Sequence, residues 1–231
     1  MDNLKRALSG AAKEVAALIP EGATLGLGSG STVAALLDAL SPMLKRKRIS
    51  GGVPTSAQIE LVAARNGIRA LPFGSRADVV LDGADQVDAG LNLVKGGGGA
   101  LLKEKVLISG ARRTLIFASE SKFSTRLCEK GVKVPVEVFP FAHTSVKLRL
   151  TALGGKPEER MLPKGYPYFT ENGNVVLDTA FPPLKDPRET EVLVKSISGV
   201  AEVGIFTIKP ITVFRLNEDG SHNVLRARGR K

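Results

Sequence analysis

The sequence has few of the side chains that form disulfides or bind transition metals. Its 231 residues include one cysteine, Cys128, and two histidines, His143 and His222, which lie far apart in the chain. A single cysteine excludes an internal disulfide and fits a reducing compartment. Because the chain has no cluster of cysteines and histidines, a zinc or iron site is not expected. We therefore expect no metal and no cofactor, so the chemistry must come from carboxylates, lysines and the backbone.

A long apolar run is also missing. The first twenty residues, "MDNLKRALSGAAKEVAALIP", carry charges through most of their length. Their apolar residues recur at helical spacing, at Leu4, Leu8, Ala11, Val15 and Leu18. This pattern predicts an amphipathic helix rather than a signal peptide or a membrane span. The expectation is a cytoplasmic protein with no membrane partner.

Basic residues outnumber acidic ones by 33 to 23, which gives a formal net charge of +10. An excess of this kind favours an anionic partner, either a nucleic acid or a phosphorylated metabolite. The dense basic runs are Lys45–Arg48 and Arg226–Lys231, and blocks of like charge are usually exposed. They are interpreted as a solvated loop and a frayed tail. Since aromatic residues are not interleaved with them, a nucleic-acid partner is not expected.

Strand and helix signals alternate through the first half of the chain. Apolar strand-like runs such as "ATLGLG", "ADVVLDGAD" and "TLIFAS" are separated by helix-like segments such as "TVAALLDAL", "AQIELVAARNG" and "ALLKEKVLISGA". Continuous apolar strands that alternate with helices indicate a parallel sheet covered on both faces. The predicted fold class is α/β, with an open, Rossmann-like, mostly parallel sheet.

The pattern changes after about residue 133. The order becomes strand, helix, strand, strand, helix, strand, with a hairpin signal at Asn172–Gly173 and a helix start at Asp186–Pro187. This order is typical of the split βαβ arrangement of a smaller, ferredoxin-like α+β domain. The last strand-like run, "ITVFRL", is expected to return to the first domain. The predicted domains are residues 1–132 with 207–231, and residues 133–206.

A glycine-rich turn, "GLGSGSTVAAL", joins a predicted strand to a helix. Ser29, Gly30, Ser31 and Thr32 would lie at the helix N-terminus, where free backbone N–H groups and the helix dipole favour an anion. The spacing matches neither the P-loop nor the dinucleotide motif. Two interpretations remain open at this point, a phosphate site and an ordinary strand–helix turn with a Ser/Thr cap.

Acids, a lysine and glycines follow the strand "ADVVL". Asp82 and Asp85 fall just past its carboxyl end, and Lys95 precedes the four glycines Gly96–Gly99. In open parallel sheets ligands bind at that edge, and glycine N–H groups can stabilise an oxyanion. The alternative is an acidic turn, because Asp-Gly pairs are common turn formers, but the acids, the lysine and the glycines within so short a span favour a functional site.

Glu104 falls in the middle of an apolar helix face. The residues around it on a helical projection are Leu107, Ala100, Ala111, Ile108 and Leu101. A buried carboxylate is costly unless it is paired or functional, so Glu104 is either a general base or part of a structural salt bridge. Lys122 lies just beyond the strand "TLIFAS", at the same sheet edge. It is either a phosphate ligand or an ordinary exposed lysine.

These residues together resemble the type A ribose-5-phosphate isomerases. The resemblance spans nearly the whole chain, through "LKRA", "GLGSGST", "VVLDGADQVD", "LVKGGGGALLKEK", "ASESKF", "GGKPEER" and "TENGNVVLD". It implies a two-domain α/β fold and metal-free interconversion of ribose 5-phosphate and ribulose 5-phosphate in the non-oxidative pentose phosphate pathway. It also implies a homodimer or homotetramer.

The resemblance also assigns roles. Glu104 would be the catalytic base, and Asp82, Asp85 and Lys95 would complete the catalytic set. The implied substrate-binding residues are Ser29, Gly30, Ser31, Thr32, Gly83, Ala84, Gly96, Gly97, Gly98, Lys122 and Lys5. Ser29 stands where the family often has threonine, which keeps a hydroxyl in place.

Two function classes remain as alternatives. A sugar-phosphate-sensing binding module would carry a DNA-binding helix-turn-helix, whereas the N-terminal helix here is solitary. An acyl- or CoA-transferase on a related sheet would need a carboxylate nucleophile and a nucleotide site, and the sequence carries no nucleotide signature.

Overall fold

The computed structural model describes residues 2–227. The α-helices are α1 (Asp2–Leu18), α2 (Ser31–Arg46), α3 (Ala57–Arg65), α4 (Leu101–Gly110), α5 (His143–Ala152) and α6 (Pro187–Lys195). The first seven strands are β1 (Thr24–Leu27), β2 (Gly51–Pro54), β3 (Val79–Gly83), β4 (Gln86–Val87), β5 (Leu93–Val94), β6 (Arg113–Ser119) and β7 (Val134–Val138). The others are β8 (Lys156–Glu159), β9 (Val175–Ala180), β10 (Val200–Val203), β11 (Ile205–Phe206), β12 (Ile211–Leu216) and β13 (His222–Ala227).

Six strands form the large sheet, in the order β13-β12-β6-β3-β1-β2. Every neighbouring pair is parallel except β12 and β13, which are antiparallel. The chain runs from β1 outward to β2 and then returns to place β3 on the other side of β1. That reversal of strand order is the position at which open α/β sheets bind ligands, beyond the carboxyl ends of the strands. The predicted parallel sheet is confirmed.

Helices cover both faces of this sheet, as predicted. On one face, α1, α2 and α3 pack against Leu25, Leu81 and Phe117 in a core of fully buried side chains. On the other face, α4 approaches so closely that a Cβ atom at Gly26 would lie 3.3 Å from Leu107 of that helix. A side chain at position 26 would push the strand and α4 apart, so glycine permits this close packing.

Four further strands form a separate antiparallel sheet in the order β10-β7-β9-β8. With α5 and α6 this is the strand order of a ferredoxin-like domain, which confirms the predicted split βαβ arrangement. Asp186 caps α6 by accepting hydrogen bonds from the N–H groups of Arg188 and Glu189, and Pro187 is the first helical residue. At the hairpin signal Gly173 has φ +77°, and the turn is closed by an antiparallel bridge between Phe169 and Val175.

Several strands were missed by the sequence analysis. The short strands β4, β5 and β11, with two residues each, form a third sheet. Of these, β4 and β5 were missed because they are too short to leave a periodic pattern, whereas β11 lies in the predicted strand "GVAEVGIF", which divides into β10 and β11. The strand β13 was also missed, so the interpretation of Arg226–Lys231 as a frayed tail was wrong for its first two residues, which belong to that strand. Residues 228–231 lie outside the described part. The run Lys45–Arg48 is not wholly a loop, because its first two residues end α2.

Contacts between Cα atoms divide the chain into two compact units. One comprises residues up to Gly83, Lys103–Lys122 and the segment from Ile208. The other comprises Ala84–Leu102 and Phe123–Thr207. The domain boundaries drawn from the sequence stay a prediction. Across residues 2–227, no helix is both long and apolar enough to cross a membrane.

Candidate active site

The glycine-rich turn lies at the carboxyl end of β1. The N–H of Gly28 donates to the carbonyl of Leu81 at 2.9 Å, which ties the turn to β3. Gly30 is the N-cap of α2 with φ +117°, a conformation that favours glycine, and no side chain caps the helix. Ser31 and Thr32 are the first helical residues. The uncapped N–H groups of this first turn, with the positive end of the helix dipole, form an anion-binding geometry.

Ser29 joins this turn to the end of the neighbouring strand. Its Oγ lies 2.8 Å from Oγ1 of Thr55 and 2.7 Å from Oγ of Ser56. Thr55 is buried and also donates to the carbonyl of Leu27 at 2.9 Å. These hydroxyls hold the turn in place, and the sequence analysis missed Thr55 and Ser56. Their position directly after "GGVP" gave only a weak signal, because two of these four residues are glycine.

Asp82 is the residue at which the apolar run of β3 ends, and it is fully buried. One oxygen, Oδ1, accepts a hydrogen bond of 2.7 Å from the N–H of Gly83. A Cβ atom at Gly28 would lie 2.0 Å from the same oxygen, so any side chain there would displace the carboxylate. The glycine turn and Asp82 are therefore packed directly against each other.

Glu104 is buried, with 3% of its surface exposed, in the first turn of α4. The backbone N–H of Ser29 lies 3.4 Å from its Oε1. The positive end of the α4 dipole favours a negative charge at this position. A buried carboxylate thus faces the glycine-rich turn at the ligand-binding edge of the sheet. Its burial agrees with its place in the apolar helix face.

Asp85 and Lys95 belong to the second compact unit, where Asp85 precedes β4 and Lys95 follows β5 in the chain. The N–H of Asp85 donates to the carbonyl of Val94, and its Oδ2 accepts from the N–H of Gly97, both at 2.8 Å. Lys95 is buried, and its Nζ lies 5.5 Å from the ring centroid of Phe206, a cation–π contact. Asp85 therefore contacts the glycine run directly.

Residues Gly96–Gly99, called here the glycine loop, are held by side chains that the sequence analysis did not single out. Arg160 donates to the carbonyls of Gly96 and Gly97, and Tyr168 donates to that of Gly98 at 3.3 Å. Burial raises the pKa of Tyr168, which keeps its phenol a donor. Arg160 falls in "GGKPEER", which contributed to the resemblance, but no local pattern links an arginine to a loop 63 or 64 residues earlier.

The two lysines that were predicted to bind the substrate differ in their positions and exposure. Lys122 ends the short 3₁₀ turn Glu120–Lys122 that follows β6, so it lies at the carboxyl edge and is partly buried. Lys5 is exposed on α1. The start of α1 lies beside the β12–β13 turn, where the Asn3 amide donates to the carbonyl of Glu218 at 2.6 Å.

No cluster of three or more histidine, cysteine, aspartate or glutamate side chains suited to a metal ion occurs within residues 2–227. The expected absence of a metal and of a cofactor stays a prediction.

Comparison with known proteins places the chain among isomerases. Residues 51–220 match the family of ribose 5-phosphate isomerase A (phosphoriboisomerase A). The chain is 42% identical over 196 residues to the ribose-5-phosphate isomerase A of Korarchaeum cryptofilum, covering 84% of this chain and 86% of that relative. It is 40% identical over 214 residues to the enzyme of the same name from Methanosarcina acetivorans, covering 91% and 90%.

Solved structures are similar over the same extent. A D-ribose-5-phosphate isomerase in complex with phospho-erythronic acid has a TM-score of 0.88 and 36% identity, covering 98% of this chain and 99% of the other. The ribose 5-phosphate isomerase A of Methanocaldococcus jannaschii has a TM-score of 0.87 and 32% identity, covering 97% and 99%. These similarities favour an isomerase over a sensing module or a transferase.

Proposed function

The chain belongs to the ribose 5-phosphate isomerase A family, and we propose that it isomerises its substrate through an enediolate, with Glu104 moving the proton. The family's reaction is the interconversion of D-ribose 5-phosphate and D-ribulose 5-phosphate, so the chain is an aldose–ketose isomerase of pentose phosphate metabolism. The roles of individual residues are part of the proposal.

The phosphate is proposed to bind at the glycine-rich turn. The N-terminus of α2 is uncapped, Ser31 and Thr32 add hydroxyl donors, and no acid lies in the first turn of that helix. Lys122 adds a positive charge at the same edge of the sheet, and Lys5 is proposed to assist it. A dianionic phosphate suits this set of donors, because each hydrogen bond to a charged group contributes roughly 1.5–3 kcal/mol.

The proton transfer is proposed to belong to Glu104. Isomerisation removes a proton from C2 of the aldose and returns one to C1, so a single carboxylate can serve as base and then as acid. The observation that supports this role is the position of Glu104. Its side chain is buried, and its Oε1 faces the N–H of Ser29 at the sheet edge. A base at that position lies next to the proposed phosphate site.

We propose that the remaining groups stabilise the negative charge of the intermediate and transfer the hydroxyl and ring-oxygen protons. These groups are Asp82, Asp85, Lys95 and the glycine loop. Ring opening needs an acid–base group at the ring oxygen, and the two aspartates are suited to that oxygen and the hydroxyls. The enediolate is negative, so the ammonium of Lys95 and the N–H groups of the glycine loop would stabilise it. Gly83 and Ala84, which join the two aspartates, are proposed substrate contacts.

Direct observation of the reaction tests this function. Ribose 5-phosphate is incubated with the protein in D₂O, in parallel with and without a chelator, and the products are followed by NMR. The expected result is ribulose 5-phosphate, with deuterium entering at C1 of the ketose and, through the reverse reaction, at C2 of the aldose. An absence of conversion in both arms would refute the function, and a loss with the chelator alone would refute the expected absence of a metal. Conversion without any exchange would refute a solvent-accessible enediolate.

A homo-oligomer, either a dimer or a tetramer, is also proposed. Large apolar side chains are exposed in the ferredoxin-like part, including Phe141 at 89% and Leu148 at 68%, and the rings of Phe139 and Phe141 stack at 5.8 Å. Exposed apolar patches of this kind often mark protein interfaces. Light scattering should give a multiple of the 24.4 kDa chain mass, and a Phe141→Ser variant should dissociate more easily. A monomeric mass at micromolar concentration would contradict the proposal.

A further inference from the structure

The guanidinium of Arg160 links a strand of the ferredoxin-like sheet to the glycine loop. Its Nε and Nη2 donate to the two carboxylate oxygens of Asp178 on β9, at 2.8 and 2.5 Å. Its Nη1 donates to the carbonyls of Gly96 at 3.0 Å and Gly97 at 3.1 Å. The side chain is 15% exposed, so water competes little for these donors. One arginine thus donates hydrogen bonds from two edges of its planar guanidinium group.

These contacts fix the direction of the peptide groups on the other side of the loop. In a planar trans peptide the carbonyl and the following N–H point in opposite directions. A guanidinium that holds the carbonyl of Gly96 therefore turns the N–H of Gly97 away from Arg160. That N–H is the group that donates to Oδ2 of Asp85 at 2.8 Å. By the same geometry, holding the carbonyl of Gly97 aims the N–H of Gly98 away from Arg160.

A loop of glycines needs such an external restraint, because glycine populates many backbone conformations. Gly96 and Gly99 both have positive φ, at +101° and +80°. Tyr168 gives a second restraint by donating to the carbonyl of Gly98. The positive charge on Arg160 also polarises the peptide groups that it holds, which strengthens their N–H groups as donors.

We infer that Arg160, oriented by Asp178, is a positioning residue for the isomerase reaction. It sets the peptide groups of the glycine loop so that they hold the carboxylate of Asp85 and present N–H groups to the enediolate. Arg160 itself does not touch the substrate in this scheme. The inference rests on the proposed function, since it assigns a purpose to a loop that the proposed mechanism uses.

Three variants test the inference: Arg160→Ala, Asp178→Asn and the double variant. The matched control is Arg149→Ala, which removes an exposed arginine from α5 in the same unit. Arg160→Ala should lower kcat by about 10- to 100-fold, as expected for misplaced catalytic groups, with KM changed less than about threefold. Asp178→Asn should give a smaller loss. The double variant should match Arg160→Ala, because Asp178 acts through the arginine.

Two inhibitors separate positioning from general damage. Phospho-erythronic acid carries a carboxylate where the enediolate would form, so its affinity should fall together with kcat in Arg160→Ala. Inorganic phosphate probes only the phosphate site, so its inhibition constant should stay unchanged. Equal losses for both inhibitors, additive losses in the double variant, or an unchanged kcat would overturn the inference.

The outcomes remain distinguishable from a failure of the proposed function. If the unmodified protein does not isomerise ribose 5-phosphate, the proposed function fails before any variant is compared. If the unmodified protein is active and Arg160→Ala retains its rate, only the inference fails. If circular dichroism shows that Arg160→Ala does not fold, Asp178→Asn is judged by the same kcat and inhibitor criteria.

Discussion

Replacing Glu104 by glutamine is the most direct perturbation of the proposed mechanism. Glutamine has the same shape, and its amide oxygen can still accept from the N–H of Ser29, which lies 3.4 Å from Oε1. It cannot accept the C2 proton, because an amide is not a base at neutral pH. The loss of a general base costs about 10²- to 10⁴-fold in rate. That range corresponds to about 2.7–5.5 kcal/mol in the activation free energy.

The fold should tolerate this change. The charge of Glu104 interacts favourably with the first turn of α4, worth about 0.3–1 kcal/mol, but the substitution also removes the cost of keeping a carboxylate buried at 3% exposure. These effects oppose each other, so the free energy of unfolding should change by less than about 1 kcal/mol. For a chain of this size, that corresponds to a shift in Tm of no more than about 2–4 °C.

The assay compares Glu104→Gln with Glu60→Gln, which makes the same substitution in the first turn of α3 at an exposed position. The Glu104 variant should lose kcat and C2 proton exchange together, since both pass through the proposed enediolate. Its affinity for phospho-erythronic acid should remain measurable, because the proposed phosphate contacts are elsewhere. The control should behave as the unmodified protein does. Near-normal turnover in Glu104→Gln would make Glu104 a structural acid, and the base would then be sought at Asp82 or Asp85.

Two further predictions concern other parts of the chain. The Ser31→Ala/Thr32→Ala double variant should bind ribose 5-phosphate more weakly while its affinity for unphosphorylated ribose hardly changes, and calorimetry that shows equal losses for both sugars would exclude the turn as the phosphate site. Burial raises the pKa of the Cys128 thiol from 9.0 to about 11. The folded state therefore holds this proton more tightly, and the stability it contributes is present below pH 9 and lost as the pH rises from 9 to 11. Denaturant unfolding should show a loss of about 2–3 kcal/mol over this window. The loss should be smaller in Cys128→Ala by this amount, because Tyr168, whose pKa burial also raises, still titrates there. An equal loss in that variant would assign the whole effect to other groups.

The part of the candidate site on the large sheet was accessible from the sequence for a physical reason. Parallel strands end at one edge, so the residues after "TLGL" and "VVL" had to lie near each other whatever the details of packing. Glu104 was identified because a charge in an apolar helix face is costly unless it has a purpose. Both arguments use only local periodicity and the direction of the strands.

The residues that hold the site in place could not be predicted from local periodicity and strand direction. Thr55 and Ser56 follow a strand of four residues, half of them glycine, whose pattern is weak. Arg160 reaches the glycine loop across 63 and 64 residues of chain, and Asp178 is 18 residues from Arg160. Such pairs are created by sheet register, here the pairing of β8 with β9, and no short-range rule predicts them.

The four consecutive glycines show how local sequence pattern and long-range packing combine. Locally they suggest only a flexible turn, yet three of them have separate reasons to lack a side chain. A Cβ atom would lie 2.9 Å from Leu101 at Gly96, 2.9 Å from the Asp85 carboxylate at Gly97, and 2.0 Å from the Tyr168 hydroxyl at Gly99. The loop is therefore closely packed rather than loose. Its glycines are needed because an acid, a phenol and a helix all approach the same backbone, which is the arrangement that a preorganised set of N–H donors requires.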